Sequence, residues 1–499
     1  MLKTPDMRSK LESPLVVLLG FAIFFFFQSQ APFISEPDGY YHAKFAYLLR
    51  SLGFIKDFSW TTLSFWTEDF SDKELLYHYL LVPFTYLNLQ EGIKLATVCF
   101  ATFSFWSFYK LLRLNKVALT LPWLLAFFSC GALFLIRMNA PRPHVLAVGL
   151  CLWSIHFILN KQHRAAGMLS FFYTLSYTGF ILPMIFSFLA GCYDFSQTRK
   201  ASGFQCFFWV CSGVLLATVA NPYFPRNVEM FYLQNIFTLW MATMSDFRPN
   251  VGGEFYPLNT RQIMTEMPLL FILSLTVVLN LLNQKMKASE KTQKMFLFVF
   301  TLTLMSMLSK RFVEYAVPAF LVFCALSLTP MLQGLTSKLR SSGSKSVFYS
   351  VILLGFIAPF TFHSTANLGK YFHFRSSRFK LPSLELRAYA KDNDVIFSCD
   401  WDDTPELWYY NSQFRYLVFL DPNFMYYRFP EKYKLWRQLT GGQFNARRSS
   451  QILQQTFESK IGVCGSEYKA FRQRLDPEYF EILYEDPKSF VFRVQQPAQ

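Results

Sequence analysis

Long apolar runs separated by short polar connectors dominate the chain. Runs close to the roughly 20 residues that cross a bilayer recur at 13–31, 93–109, 118–136, 145–160, 204–220, 268–283, 295–309, 312–330 and 346–362. The apolar stretch 165–192 is too long for one helix and is interrupted by "SYTG", so it divides into helices near 165–177 and 178–191. The pattern predicts about eleven membrane spans. The segment 72–89, "DKELLYHYLLVPFTYLNL", is also apolar, but counting it as a span reverses the side of every later connector. It is therefore expected as a helix at the interface or dipping into the bundle.

The connectors orient these spans. With Lys3, Arg8 and Lys10 placed inside, alternation puts 110–116, 160–164, 196–200, 283–294 and 337–345 inside as well, and every one of them is basic. The first run has a basic leader, but its apolar stretch is long for a signal peptide and "SQA" is a poor cleavage site. It reads as a span. The predicted outer segments are 32–92, 137–144, a tight turn at 176–179, 221–267, 310–312 and the tail.

The period changes in that tail. "DVIFSC" (394–399) and "RYLVFL" (415–420) read as strands. "DDTPELWYYN" (402–411) and "SEYKAFRQRL" (466–475) read as helices, and "DPKS" closes a final hairpin. The predicted architecture is mainly α: a polytopic bundle over 1–362 followed by a small extracytoplasmic α/β domain over 363–499.

Composition agrees. Of 499 residues, 52% are hydrophobic and 16% charged, below the quarter usual for soluble domains. The net charge of +15 follows largely from the basic inner connectors, so no nucleic-acid partner is expected. Nine cysteines show no paired spacing of a metal site. Those in the spans pack as apolar residues. Cys399 and Cys464 lie in the polar tail, and a disulfide between them stays open.

The unusual polar residues all fall on the predicted outer side. Asp38 and His42 lie in "SEPDGYYH", and Arg137, Asn139, Arg142 and His144 in "RMNAPRPH". Glu254 follows two glycines in a long loop, Arg311 and Glu314 open the tenth span, and Asp400, Asp402 and Asp403 open the tail domain. Each has a plain alternative. Arg142–Pro143–His144 suits a helix start, Arg311 and Glu314 can pair three residues apart, and Asp402 or Asp403 can cap a helix. Glu68, Asp69 and Asp72 read as a solvated face, Asp72 to Glu74 also as a helix N-terminus, and His78 as a packing residue. Ionisable groups at membrane depth nonetheless point to function. Guanidinium groups there suit phosphate. Carboxylates suit a divalent cation or a general base.

In this order, the motifs resemble the GT-C class of membrane glycosyltransferases, nearest to the catalytic subunit of oligosaccharyltransferases. The matching features are the aspartate of "EPDGYYH" after the first span, "RMNAPRPH" after the third, the acidic outer loop at Glu254 and an arginine at the end of a late span. "IFSCDWDDTPELWYY" stands where that family carries its WWDYG region. The resemblance implies transfer of a sugar from a polyprenyl-phosphate-type lipid donor to an acceptor outside the membrane. It implies Asp38 as catalytic carboxylate, Glu254 as a second acidic contributor, and Arg311, with Arg142, as holder of the donor phosphate. His42, His144, Glu314, Asp402 and Asp403 would line the site. Where the family has acidic metal ligands after the third span, this chain offers Asn139 and His144. A divalent cation (Mg or Mn) would accordingly be held by Asp38, His144 and Glu254. "DWDDTP" departs from WWDYG, so an acceptor other than an Asn sequon is expected. Carboxylate-assisted displacement at a glycosyl phosphate would be a single inverting step. The layout suits the cytoplasmic (inner) membrane of a bacterium. The rival readings are a flippase of a lipid-linked glycan and a non-catalytic, membrane-anchored assembly subunit.

Overall fold

The computed structural model describes residues 7–244, 251–283, 288–339, 343–374 and 377–495. The predicted connectors 283–294 and 337–345 and the outer loop 221–267 therefore lie partly outside the described residues.

Helices form at all eleven predicted positions. α1 (Met7–Ser29) is followed by α2 (Pro37–Leu52), which has proline in its first turn and Asp38 beside its positive N-terminal end. α3 (Leu75–Leu81) and a 3₁₀ turn, Val82–Tyr86, occupy the awkward apolar segment. Neither is long enough to span a bilayer. α4 (Leu89–Leu114) begins where the Asn88 side chain accepts the Gln90 N–H.

The single span expected at 118–136 is two helices, α5 (Thr120–Phe127) and α6 (Ala132–Met138), bent by 85°. Gly131 explains the corner. Its φ is 101°, and an added Cβ would lie 2.5 Å from the Glu266 carbonyl oxygen. α7 (His144–Leu159) and α8 (His163–Ser176) follow. α8 stops at the "SYTG" break, where a 3₁₀ turn, Thr178–Phe180, leads into α9 (Ile181–Thr198).

α10 (Gln205–Ala220), α11 (Arg226–Phe231), α12 (Thr238–Thr243) and α13 (Thr260–Glu266) precede α14 (Pro268–Asn283). α13 and α14 meet at 93°, at a proline that disfavours helix in the residue before it. α15 (Glu290–Leu308), α16 (Val313–Leu339) and α17 (Gly343–Phe374) complete the bundle. Among the described residues six helices are long and apolar enough to cross a membrane, or eight if each bent pair is one span. Large apolar side chains such as Leu18, Phe26, Phe208 and Leu215 face outward, as lipid contact requires. This is a multi-pass membrane protein.

The tail begins with α18 (Lys380–Tyr389) and holds a five-stranded sheet of order β2-β1-β3-β5-β4. Its strands are β1 (Val395–Ser398), β2 (Arg415–Tyr416), β3 (Ile461–Gly465), β4 (Phe480–Glu485) and β5 (Ser489–Val494). β1 and the closing hairpin lie where the sequence pattern puts them. β2 is two residues rather than six, and β3 was not expected, because the short "IGVCG" shows no alternation: all five residues are buried. The helix expected at 466–475 is one turn, Lys469–Arg472. Cys399 and Cys464 form a disulfide.

The first loop joins this domain. Thr62 and Leu63 donate backbone hydrogen bonds to Tyr416 and Leu417, extending the sheet beyond β2. One aromatic core unites Tyr41, Phe58 and Trp66 of the loop with Trp408, Tyr416 and Phe419 of the tail. At the other end Lys291 donates to Asn115 at 2.7 Å and Asn160 at 2.6 Å, and Lys294 pairs with Asp194 at 2.7 Å. The predicted inner connectors are thus tied together at one end, and the predicted outer segments at the other.

Candidate active site at the junction of two cavities

The segments predicted to lie outside enclose a cavity of about 550 Å³. Asp38 reaches it from the first turn of α2, and Arg142 from the turn before α7. Glu254 reaches it from a 3₁₀ turn, Gly253–Phe255, and Arg311 from another, Lys310–Phe312. Ser309 couples those two turns. Its hydroxyl donates to the Glu254 carbonyl at 2.7 Å and accepts the Arg311 N–H at 3.4 Å. Asp402 and Asp421 close the cavity from the tail.

Arg142 is the hub. Its guanidinium lies 2.8 Å from Asp38 and 3.0 Å from Glu254. Burial raises the Glu254 carboxyl, but Arg142, Arg137 and Arg311 outweigh it and hold the group well below the usual carboxylate range. Asp402 shows the opposite effect. Burial, then the charges of Asp38 and Asp400, push its carboxyl well up. Asp421 is pushed up to about 6 by burial, against the pull of Lys73 and Arg311. The cavity therefore holds Glu254, kept ionised by guanidinium groups, beside acids that keep their protons more readily.

Arg311 donates to the Tyr177 hydroxyl at 3.1 Å, and its guanidinium stacks 4.7 Å from the centre of the Phe255 ring. These three residues also line a second, largely apolar cavity of about 420 Å³ between α9, α15 and the segment around Phe231 to Trp240. Arg311 thus stands where a charged chamber opens into a greasy one.

The other expected residues are placed differently. Glu314 does not pair with Arg311. It is fully buried, 2.6 Å from Arg137, and borders the apolar cavity. His144 is also fully buried, with Nε2 2.7 Å from the Arg137 carbonyl oxygen, outside the polar cavity. Asp403 faces Arg378 at 3.4 Å and stands at the N-cap of α19 (Thr404–Tyr410) without a side-chain capping bond. Asp38, His144 and Glu254 are not drawn into one ligand set, because Arg142 occupies the space between the two carboxylates and His144 turns to backbone.

His42 lines the cavity, with Nδ1 2.8 Å from His78 Nε2. His78 Nδ1 lies 2.8 Å from Asp72 Oδ2. Asp72 is buried, contrary to the solvated face expected of it. Asp69 pairs with Arg428. Sequence reasoning did not single out Lys73, Tyr177 or Asp421 as lining residues, and it read Glu74 as part of a helix start. The break "SYTG" was the available signal for Tyr177. Asp421 carried none beyond its Asp–Pro helix start, since α20 (Pro422–Arg428) reaches the cavity only through the tail fold.

Two solved structures have a similar overall fold. The archaeal oligosaccharyltransferase AglB from Archaeoglobus fulgidus, in complex with an inhibitory peptide and a dolichol-phosphate, aligns with a TM-score of 0.67 over 96% of this chain and 73% of that one, at 11% identity. ArnT from Cupriavidus metallidurans, bound to undecaprenyl phosphate, aligns with a TM-score of 0.59 over 96% of this chain and 97% of that one, at 11% identity. The chain has the GT-C membrane fold. No protein-family model and no curated protein sequence matches it.

Proposed function

We propose that this GT-C-fold protein transfers a sugar from a polyprenyl-phosphate-type donor to an acceptor at the tail-domain face of the membrane. One observation carries the reading: the polar and apolar cavities meet at Arg311, Tyr177 and Phe255. An isoprenoid phosphate has the same division, an anionic head on an apolar chain. Its chain fits the apolar cavity, its phosphate the Arg311 guanidinium, and its sugar the chamber lined by Asp38, Asp402 and Asp421. Each of the two solved structures holds an isoprenoid phosphate bound to that protein.

The chemistry follows from these placements. Arg311 neutralises the departing phosphate as the glycosidic C–O bond breaks. Asp38, oriented by Arg142, accepts the proton of the attacking acceptor group. Attack opposite the leaving phosphate inverts the anomeric centre. Glu254 acts through Arg142 and Arg137 by fixing their positions. The basic connectors, gathered at the opposite end, support a reaction on the extracytoplasmic side of the inner membrane.

The test is turnover by purified protein of a panel of labelled polyprenyl-phosphate sugars, with the product anomer read by NMR. Asp38→Asn is expected to lower turnover about 100-fold or more while donor binding persists. Full turnover by Asp38→Asn would reject the assignment, and a retained anomer would reject the single step.

A further inference from the structure

We infer that His42, Glu74 and His78 form a binding site for a divalent transition-metal ion of the Zn²⁺ type, apart from the Asp38–Arg142–Glu254 ion pairs. One ligand atom from each of the three lies within 4.8 Å of the others, and all three side chains are buried. The hydrogen bonds prescribe the lone pairs. The Asp72 carboxylate can only accept, so His78 Nδ1 carries the proton facing it at 2.8 Å. His78 Nε2 is therefore a bare lone pair, aimed at His42 Nδ1 at 2.8 Å. That spacing suits a shared proton. It is about half an ångström short of two imidazoles on one tetrahedral cation, each at about 2.0–2.1 Å from the metal.

Glu74 supplies the second observation. It is 4% exposed, and its carboxylate has only the Lys73 ammonium, 3.5 Å away. Among the described residues no hydrogen bond is donated to its oxygens. The carboxylate faces the cavity with that one ion pair, so its lone pairs are free for a cation between it and the two imidazoles. Glu74 and His78 stand four residues apart at the start of α3, on one face. Asp72 anchors both, because its other oxygen accepts the Glu74 N–H at 2.9 Å. A carboxylate behind a ligating imidazole is the usual outer shell of a zinc site. His42 and Glu74 line the 550 Å³ cavity, which supplies an entry path and an open coordination position. Two nitrogens and one carboxylate favour Zn²⁺ over the all-oxygen cations Mg²⁺ and Ca²⁺.

The inference does not depend on sugar transfer, since the probe is the metal alone. Tag-free full-length protein in detergent micelles is stripped with chelator and titrated with Zn²⁺ by calorimetry. X-ray absorption is then recorded on the loaded wild type. One equivalent is expected, with two imidazole nitrogens, oxygen donors and no sulfur, and millimolar Mg²⁺ should not displace it. His42→Ala and His78→Ala should each weaken binding by about 100-fold, and Asp72→Asn by about 10–100-fold. Absence of stoichiometric Zn²⁺ on folded wild-type protein would overturn the site. So would sulfur or a single imidazole in its absorption spectrum, a readout that needs no variant to fold, or unchanged affinity in His42→Ala.

Discussion

Arg142→Met isolates what the hub guanidinium does. One nitrogen of Arg142 lies 2.8 Å from an Asp38 oxygen and 3.0 Å from a Glu254 oxygen. Those oxygens can thus be no more than about 6 Å apart, and the variant leaves them facing each other with no cation between. At an effective dielectric of about 20, two unit charges at that distance repel by roughly 3 kcal/mol. Glu254, whose carboxyl burial already pushes upward, is the group expected to take a proton. The sign follows by linkage. In the wild type Glu254 is depressed, so its contribution is complete above its unfolded value and flat between pH 7.5 and 5. In the variant the loss of Arg142 raises its folded value against the remaining pull of Arg137 and Arg311, so its ionisation supports folding less at pH 7.5 and the difference from wild type is relieved on acidification. The variant should therefore be about 3 kcal/mol less stable than wild type at pH 7.5, and the gap should narrow at pH 5. The assay is unfolding in mixed micelles followed by tryptophan fluorescence at both pH values, always as a difference from wild type. Such a difference cancels Asp402, Asp421 and other acids that titrate in both proteins. Adding Glu254→Gln to Arg142→Met should close most of the gap at pH 7.5. A gap that is constant with pH, or wider at pH 5, would refute the hub argument.

Three further outcomes are expected. Arg311→Ala should weaken binding of polyprenyl phosphate by about 10–100-fold, the worth of a charge-assisted hydrogen bond, with partial recovery in Arg311→Lys; equal affinity in a lipid-binding titration would remove the phosphate from that position. Asp421, pushed up to about 6, opposes folding once ionised, so Asp421→Asn should stabilise the protein by up to about 3 kcal/mol at pH 8 and not at pH 4. Asparagine can keep the cap on the Asn423 N–H; unfolding midpoints at the two pH values decide the matter. Cys399→Ser with Cys464→Ser opens a crosslink between residues 65 apart and should cost the tail domain about 4 kcal/mol on the chain-entropy estimate, read as earlier proteolysis of the tail than in wild type.

Those positions also show which parts of the molecule are legible in its sequence. The spans, their breaks and the grouping of connectors are local or additive properties: apolar length, a "SYTG" interruption, a count of lysines and arginines. Asp38, Arg142, Glu254 and Arg311 could be singled out because charge in an apolar chain is costly wherever the fold puts it. Their partners could not. Whether Glu314 meets Arg311 three residues away or Arg137 from another helix is a question of side-chain direction, and the structure answers with Arg137. Asp72 and His78 look like a solvated acid and a packing residue until the chain fold buries them against His42. The short strand β3 is invisible for a related reason, since burial on both faces leaves no alternation to read.

By itself, then, the amino-acid order determined a many-span helical bundle with an α/β tail and a store of charge at one end, because hydrophobic length and ionic cost act residue by residue. Only the tertiary structure decided that this charge is sorted into ion pairs around Arg142, a His–Glu–His cluster, and an arginine at the mouth of an apolar cavity. Those arrangements depend on distances of a few ångströms between segments up to hundreds of residues apart, and no local pattern encodes such distances.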